Sequence, residues 1–407
     1  MKTNFDVIII GGGMVGASLA RALAATNLRI AIIEAASLYS TRQPSYDDRA
    51  IALAYGTLLI LEGIGVWPEL EPDAEPIRHI HISDRGRFGF TRLDHQEQGV
   101  AALGYVATGH ALGQVLLKGL GQLSNLMLFC PASLNSFDLS ADGVEVRISL
   151  EEGEQILQGK LLVAADGVNS LVREQLDISI KEWGYGQTAV ISNLTPGIEP
   201  EGVAFERFTD AGPMALLPLT GGRYGLVWTL DDADLDAVMG LDEAAFLERV
   251  QGRFGYRLGQ FQKAGKRSCY PLKLVRASEH IRQRVALIGN AAHAVHPITG
   301  QGFNLGIRDV AVLADVLVDA AKRGQDIGSL PVLERYADWR KHDQEAVALM
   351  TDSLVRIFTN PLLPVRMIRN LSMLALDLMP GPKRFLTRQF MGLNGRLPKL
   401  SRGRSLV

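Results

Sequence analysis

The first 34 residues restrict the fold most, because they carry the pattern of a βαβ unit. Residues 5–10 are apolar apart from Asp6, which is typical of a buried strand, and a Gly-Gly-Gly-Met-Val-Gly turn follows at once. Residues 17–25 are strong helix formers, and residues 29–33, apolar after Arg29, predict a second strand that ends at Glu34. This order predicts a strand, a glycine-rich turn, a helix and a second, parallel strand.

The glycine turn and the acid after the second strand predict a dinucleotide site. Gly11, Gly13 and Gly16 allow the chain to turn sharply and let its backbone approach a pyrophosphate. Glu34 can accept hydrogen bonds from an adenosine ribose. A carboxylate there also argues against a ribose with a 2′-phosphate. A glycine pattern alone is weak, but the strand before it and the acid after it make it specific.

A second phosphate-type element lies near residue 300. Apolar residues 285–288 run into a Gly289-Asn290 turn, then a loop rich in proline and glycine, and then a helix that opens near Gly302. Such a loop presents backbone N–H groups and the positive end of a helix to a neighbouring ligand. Two such elements far apart in the chain predict one long dinucleotide that is held at both ends.

The remaining patterns suggest how the chain is organised. Residues 161–165 predict another buried strand, which leads into Asp166-Gly167 and a helix that contains Arg173. Asp48 predicts the cap of a helix that runs to about residue 61. Residues 77–93 alternate as in a hairpin that leaves the nucleotide-binding domain.

Residues 187–230 predict an antiparallel sheet, because short runs rich in Phe, Val, Leu and Trp are separated by Pro and Gly turns. Apolar side chains on one face of this sheet are candidates for lining a substrate cavity. An ordinary sheet core is the alternative for each of them. The candidates are Phe205, Phe208, Met214, Leu216, Tyr224 and Trp228.

Composition bounds the class of protein. A chain of 407 residues with 47% hydrophobic and 21% charged residues is expected to form two or three substructures. Cys130 and Cys269 have no metal-binding or CxxC spacing, which indicates a reducing compartment. The first strand begins at Phe5 and leaves no room for a secretory signal, and the sequence has no run of 18 apolar residues. We therefore expect a cytoplasmic protein, with no nucleic-acid partner, metal cluster or hydrolytic array.

The net charge of −2 hides a basic C-terminal segment. Residues 353–407 contain ten Lys or Arg and one acid, Asp377, and Pro364 marks the start of a helix with an apolar face. A basic helix with excess apolar surface is typical of an element that docks on a membrane surface or on a partner. The alternative is a helix packed on its own domain with solvated basic side chains. The sequence leaves both interpretations open.

The three loop motifs occur in the order found in class A flavin monooxygenases, the p-hydroxybenzoate hydroxylase class, and the chain resembles that class over essentially its whole length. Within the class it is most similar to the hydroxylases of ubiquinone biosynthesis, in particular those that act on 2-octaprenyl-6-methoxyphenol. The stretches that carry this closer similarity are residues 48–53, 83–86, 204–209, 265–268 and 289–309.

The resemblance implies an α/β fold with a Rossmann-like FAD-binding domain, an inserted antiparallel β-sheet substrate domain and C-terminal helices. We expect the FAD-binding domain to be discontinuous and the substrate domain to be built from two insertions. The expected division is 1–72, 101–182 and 268–352 for the FAD-binding domain, 73–100 and 183–267 for the substrate domain, and 353–407 for a basic amphipathic helical segment.

The resemblance also implies cofactor-binding residues. The first glycine turn would hold the FAD pyrophosphate, Glu34 the adenosine ribose, Arg49 the flavin nucleotide and Asn290 the ribityl chain, and the backbone of residues 300–302 would face the isoalloxazine. The full set is Gly11, Gly13, Gly16, Glu34, Arg49, Asp166, Gly167, Arg173, Gly289, Asn290, Pro297, Gly300, Gln301, Gly302 and Asn304.

Asn290 departs from the class, which usually carries Asp at this position. An amide can still donate to and accept from a ribityl hydroxyl, so FAD binding is expected to persist. The exchange removes a negative charge near the flavin. We therefore expect the anionic reduced flavin to form more easily.

The implied reaction is hydroxylation of an aromatic ring. NADH or NADPH would reduce the flavin, O2 would add to give a flavin C4a-hydroperoxide, and an electron-rich phenol would attack its distal oxygen. A base that deprotonates the phenol would help, but the sequence does not settle which residue provides it. His296, next to Pro297, is one candidate for a proton or substrate contact, and a structural hydrogen bond to a backbone carbonyl is its alternative.

The predicted substrate is a hydrophobic polyprenyl phenol. Residues 353–407 would provide a peripheral contact at the inner face of the membrane or a contact in a multi-enzyme quinone-biosynthesis complex. Alternatives within the class are a sister hydroxylase acting at another ring carbon and a hydroxylase of a small soluble phenol. Alternatives outside it are a docking subunit of such a complex and a flavin dehydrogenase that does not use O2.

Overall fold

The computed structural model describes residues 3–37, 48–210, 212–295, 298–360 and 362–407. Strands and helices are numbered in chain order. The strands are β1 (Thr3–Ile10), β2 (Ile30–Ile33), β3 (Ala50–Ala54), β4 (Glu75–Ile77), β5 (His79–Asp84), β6 (Phe90–Asp94), β7 (Gly104–Thr108), β8 (Leu126–Phe129), β9 (Ser133–Leu139), β10 (Val144–Leu150), β11 (Gly153–Ala164), β12 (Ile180–Thr195), β13 (Val203–Thr209), β14 (Gly212–Leu219), β15 (Arg223–Asp231), β16 (Lys263–Ala264), β17 (Ser268–Ala277), β18 (Ile281–Arg282), β19 (Val285–Leu287) and β20 (His293–Ala294). The helices are α1 (Met14–Leu23), α2 (Tyr55–Gly63), α3 (Trp67–Leu70), α4 (Gly109–Leu117), α5 (Leu171–Gln175), α6 (Leu235–Met239), α7 (Glu243–Phe254), α8 (Gln301–Lys322), α9 (Leu330–Thr359), α10 (Leu363–Leu378) and α11 (Pro380–Phe390).

A twisted sheet with the order β18-β19-β11-β1-β2-β8 forms the centre of the first domain. Strand β1 lies parallel to β2 and to β11, and β11 lies parallel to β19. The carboxyl-terminal parts of its parallel strands, such as residues 7–10, 30–33 and 161–164, are continuous apolar runs because both faces of the sheet are buried there. Helices α1 and α8 cover one face, where Val7 and Ile9 pack, and β9 and β10 cover the other face, where Ile8 packs with Val146. The predicted βαβ opening is present.

A small antiparallel sheet, β3-β7-β4, lies beside this domain. The prediction of a helix from Asp48 to residue 61 is wrong in its first half. Residues Ala50–Ala54 pair with Gly104–Thr108 as strand β3, and helix α2 begins only at Tyr55. Alanine and leucine favour a helix locally, but here the long-range strand pairing overrides that preference.

The second sheet has the order β20-β17-β12-β15-β14-β13-β5-β6, and β16 pairs with β12. It contains the predicted hairpin β5–β6 and the predicted antiparallel run of residues 187–230. Strand β17 pairs with β12 along most of its length, so the sheet extends beyond the expected boundary at residue 267. The division of the chain into domains otherwise stays a prediction.

Helix α7 covers one face of the second sheet. Phe246, Val250 and Phe254 of this helix pack against side chains that alternate along β13, β14 and β15. We therefore correct the prediction that these side chains line a substrate cavity: they form the closed core between the sheet and the helix, which is the alternative that the sequence left open. They are Phe205, Met214, Leu216, Tyr224 and Trp228, all of them buried.

The opposite face of this sheet is turned toward the first domain. Ala204 packs there with Val106, and Phe208 packs with Ile298, which lies just before α8. Successive residues of a strand point to opposite faces, so Phe208 cannot share the face of Phe205. A ligand bound by the first domain can therefore meet only the face that carries Ala204 and Phe208. The predicted cavity residues lie on the other face.

Helix α10 lies against the outer hairpin of this sheet. Its buried side chains include Arg369 and Asn370, and both bind the buried carboxylate of Asp84, Arg369 as an ion pair and Asn370 at 3.0 Å. The predicted start of the helix at Pro364 is correct within one residue. Within the described part of the chain, no helix combines the length and apolar character needed to cross a membrane.

Candidate functional site

The three predicted loop motifs follow the carboxyl ends of three neighbouring parallel strands. The glycine turn follows β1, Asp166-Gly167 follows β11, and Gly289-Asn290 follows β19. A Cβ atom on Gly11, whose φ is +99°, would lie 2.5 Å from the carbonyl oxygen of Ala165. A Cβ atom on Gly289 would lie 3.1 Å from the side chain of Val15 in helix α1. The expectation that the amino-terminal turn and the distant loop meet in one place is confirmed.

The glycine turn closes only with small residues. A Cβ atom on Gly16 would lie 1.9 Å from the carbonyl oxygen of Gly11, which is far inside van der Waals contact. Glu34 is buried at the end of β2, and its carboxylate accepts from the N–H of Gly12 at 2.6 Å and from the N–H of Ala36 at 2.8 Å. The predicted ribose-binding acid therefore lies directly beside the predicted pyrophosphate turn.

The Asp166-Gly167 loop is tied to the Gly289 loop by Arg173. The buried guanidinium donates to the carbonyl oxygen of Ala291 at 2.9 Å and to that of Val168 at 2.6 Å. Asp166 accepts from the N–H of Val172 at 3.3 Å through one oxygen, while its other oxygen, Oδ1, is buried without a partner in the described part of the chain. Burial raises the pKa of Asp166. A buried, unpaired acceptor between two glycine-rich turns fits a ligand that carries hydroxyl groups.

The buried carboxylate of Asp309 holds the Gly289 loop in place. Its Oδ2 accepts from the N–H of Gly289 at 3.0 Å and contacts Nε2 of His293 at 2.7 Å. Its Oδ1 accepts from Nε of Arg340 at 2.7 Å and from Nε2 of Gln344 at 3.0 Å. These four contacts join the loop to helices α8 and α9, and they give His293 a structural role.

The charges around Asp309 determine its protonation state. Burial alone would raise the pKa of this carboxyl, but His293 and Arg340 hold it well below its ordinary value. An acid with a lowered folded-state pKa stabilises the protein above its ordinary pKa and loses that contribution as the pH falls. The Gly289 loop is therefore anchored by a permanent negative charge at neutral pH.

Asn304 supports the loop before α8. Its Oδ1 accepts from the N–H of Ala54 at 2.8 Å and from the hydroxyl of Thr57 at 2.7 Å. Its Nδ2 donates to the carbonyl oxygens of Ala52 at 2.8 Å and of Gly300 at 2.7 Å. All the hydrogen bonds that the side-chain amide can make are used within the protein, so a cofactor contact by Asn304 would come from its backbone, and that contact stays a prediction. The side chain positions Gly300, whose φ is +63°.

The other predicted residues surround the same edge. The Arg49 guanidinium lies 4.6 Å from the ring centre of Tyr270 in the second sheet, and Asn290 is exposed after β19. Gln301 is buried, and its Oε1 lacks a partner in the described part of the chain. Cofactor contacts by these residues and by Gly13 and Gly302 stay predictions. His296 and Pro297 lie outside the described residues.

Sequence reasoning missed two acids. Asp309 stands within the apolar part of helix α8, where an isolated acid between Ile307 and Val310 indicates a buried partner. Glu206 stands in a strand whose neighbouring positions are largely apolar. In both cases the signal was an acid at a position whose periodicity predicts burial.

A family model described as an FAD-binding domain matches residues 4–349. The chain belongs to the FAD-binding domain family. Among curated relatives, the ubiquinone hydroxylase UbiL of Rhodospirillum rubrum is 37% identical, over 98% of this chain and 92% of that protein. The 3-demethoxyubiquinol 3-hydroxylase of Escherichia coli is 31% identical, over 95% of this chain and 98% of that protein. The crystal structure of p-nitrophenol 4-monooxygenase PnpA from Pseudomonas putida matches with a TM-score of 0.80 at 22% identity, over 97% of this chain and 100% of that chain.

These comparisons confirm the resemblance to class A flavin monooxygenases and to their ubiquinone-biosynthesis branch, and they confirm the fold class. The chain is an FAD-dependent monooxygenase. Its glycine turn, its buried unpaired acceptor and its anchored loop suit the cofactor of this family.

Replacement of Gly16 by Ala is expected to abolish FAD retention. The added methyl group would collide with the Gly11 carbonyl and displace the turn, so FAD affinity should fall at least about tenfold, roughly 1.4 kcal/mol. FAD content after purification and titration of the apoprotein with FAD measure this. Gly252→Ala, in helix α7 with open space around its Cβ, is the matched control and should retain FAD. Equal FAD affinity in the two variants would contradict the prediction.

Replacement of Asp309 by Asn is expected to lower the free energy of unfolding at pH 7 by about 3–5 kcal/mol, because it leaves the Arg340 charge poorly paired. The difference from wild type should shrink below about pH 4, where the wild-type carboxyl loses its contribution. Urea unfolding at several pH values tests this. Asp319→Asn, in the same helix but at its solvent side, should cost at most about 1 kcal/mol. If the difference in unfolding free energy between wild type and Asp309→Asn grew as the pH fell, the role of the ionised Asp309 carboxylate would be contradicted.

Proposed function

We propose that this chain hydroxylates the aromatic ring of a polyprenylated phenol, with NADH or NADPH as reductant and O2 as co-substrate. The main structural support for this proposal is that Phe208, on one face of the second sheet, packs with Ile298, which lies just before α8. An apolar wall on that side suits a phenol ring and excludes water. The names of the two ubiquinone-pathway relatives support this substrate class.

The bound FAD would supply reduction and activation of O2. The chain would supply position and electrostatics. The first glycine turn and Glu34 would hold the adenosine end of the cofactor, and Asn290 its ribityl chain. The amino-terminal end of α8, behind Gly300, would place its positive dipole at the ring.

Labelled oxygen tests the reaction type. We expect 2-prenyl-6-methoxyphenol, incubated with the FAD-loaded protein, a nicotinamide donor and ¹⁸O2, to gain one labelled oxygen atom, seen by mass spectrometry. Ring-carbon assignment of the product by NMR distinguishes the sister hydroxylases. A parallel reaction with unprenylated 2-methoxyphenol tests the alternative of a small soluble substrate. Donor oxidation without label in any product would favour the flavin dehydrogenase instead.

The exposed apolar face of helix α10 supports the inference that such a substrate comes from a membrane. Its polar side chains Arg369 and Asn370 face the protein, while its outer face is apolar, which reverses the usual arrangement of a surface helix. The apolar residues of that outer face are Leu363, Met367, Ile368, Leu371 and Leu378, each more than half exposed.

Exposed basic residues lie on the next helix, α11. Arg384 and Arg388 are exposed on α11 next to Phe385, whose side chain is 67% exposed. An exposed apolar face on one helix and exposed arginines on the next fit the interface of an anionic bilayer. We infer peripheral membrane contact through α10 and α11. An interface in a multi-enzyme assembly is the second candidate, favoured by the same exposed apolar area.

Met367→Glu is expected to weaken binding to vesicles of anionic phospholipid at least about tenfold, because it places a charge in the apolar stripe. Turnover of a short-chain phenol in solution should not change. Met127→Glu, the same change at a 46% exposed methionine on β8, is the matched control. Flotation assays measure vesicle binding. If Met367→Glu binds vesicles as well as wild type does, the assembly interface is favoured instead.

A further inference from the structure

Glu206 lies on the inner face of the second sheet, between two residues that touch the first domain. Its neighbours on the same face of β13 are Ala204, which packs with Val106, and Phe208, which packs with Ile298. Strand alternation therefore directs the Glu206 side chain toward the space between the sheet and the loop before α8. This is the place where the proposed substrate ring would lie.

The carboxyl of Glu206 has no hydrogen-bond or ion-pair partner in the part of the chain that the structure describes. Beside it in the sheet, Ile82 of β5 and Ala215 of β14 stand in register. Glu206 as a whole is half-buried, and burial raises the pKa of its carboxyl to about 8. An unpaired acid in apolar surroundings costs stability, so its presence is explained best by a ligand that pairs with it.

Other charged groups around this space are already engaged with one another. Asp84 binds Arg369 of α10, and Tyr185 of β12 contacts Asp352 of α9 at 3.4 Å. Asp352 also pairs with Arg356 at 2.7 Å. None of these groups contributes to the shifted pKa of Glu206, which has burial as its cause. The carboxyl thus faces the site as an isolated titratable group.

We propose that Glu206 is the catalytic base that accepts the proton of the substrate phenol, an inference that rests on the proposed function. The phenol O–H bond breaks, the proton moves to a carboxylate oxygen of Glu206, and the negative charge passes to the phenolate. The ring carbon then forms a bond to one atom of O2 and releases its C–H proton as the ring becomes aromatic again, while the nicotinamide donor supplies the two electrons that reduce the other oxygen atom. The second oxygen atom leaves as water, and Glu206 returns its proton to the product at the end of turnover.

The environment of Glu206 suits this task. An ordinary carboxylate is a weak base toward a phenol, whose pKa is near 10. Because burial brings the pKa of Glu206 to about 8, the gap between donor and acceptor is narrower and the proton transfer less unfavourable.

Glu206→Gln tests the proposal, with Glu248→Gln as the matched control. Glu248 is exposed on α7, and its replacement removes the same charge from the same sheet-and-helix unit. With 2-prenyl-6-methoxyphenol, wild-type kcat/KM is expected to rise between pH 6.5 and 8.5 as Glu206 ionises. In Glu206→Gln it should be about 100-fold lower and flat over that range, since general base catalysis contributes about 10²–10⁴-fold. FAD content and the rate of flavin bleaching by the donor should equal those of wild type and Glu248→Gln.

A series of ring-fluorinated 2-prenylphenols separates a base from a merely structural carboxyl. Fluorination lowers the phenol pKa, so the phenol ionises without help. The ratio of wild-type to Glu206→Gln rates should fall toward one along the series. A ratio that stays constant would overturn the assignment.

Thermal unfolding provides a readout that does not involve turnover. An acid with a raised folded-state pKa stabilises the protein fully below its ordinary pKa, and that contribution is lost as the pH rises through about 8. Glu206→Gln should therefore gain more Tm relative to wild type at pH 8.5 than at pH 5.5. An equal difference at both pH values would overturn the buried, unpaired state on which the proposal depends.

These experiments distinguish a failure of the proposed function from a failure of the role proposed for Glu206. If wild type forms no hydroxylated product, the proposed function fails and the role of Glu206 fails with it. If wild type is active and Glu206→Gln keeps its rate and pH profile, the assignment of the base fails while the proposed function stands. Loss of FAD from Glu206→Gln would also overturn the assignment, because it would show a structural role.

Discussion

The flavin side of this protein depends on one buried carboxylate. Asp309 is fully buried in helix α8, yet it holds the backbone of Gly289, the ring of His293 and the side chains of Arg340 and Gln344. A charge at such depth is tolerated only because cationic and amide donors surround it. The same contacts fix the loop that we expect to face the cofactor, so in this account stability and function share a single anchor.

The two faces of the second sheet have different surroundings. Helix α7 covers the first face and buries its large apolar side chains. The second face meets the first domain through Ala204 and Phe208 and carries the acid Glu206 between them, and we propose that this face is the substrate wall. Strand alternation separates the two tasks within a few residues.

Helix α10 links this wall to the surface of the protein. Asp84 pairs with Arg369, and the ring of Phe358, near the end of α9, stacks on Phe208. A polar inner face leaves the apolar residues of α10 turned outward. These contacts join the proposed membrane-facing helix to the proposed substrate wall.

The sequence by itself determined the βαβ opening, the three loop motifs and the helical C-terminal segment, because each follows from the order of neighbouring residues. Gly11 and Gly16 had to be glycines for the turn to close, and that requirement is visible locally. Only the tertiary structure decided that residues 50–54 form a strand, since their partner lies at residues 104–108. It also decided that Asn304 serves the loop, that Phe205 faces α7, and that α10 turns its apolar side outward. These outcomes depend on contacts between residues far apart in the chain, which periodicity cannot register.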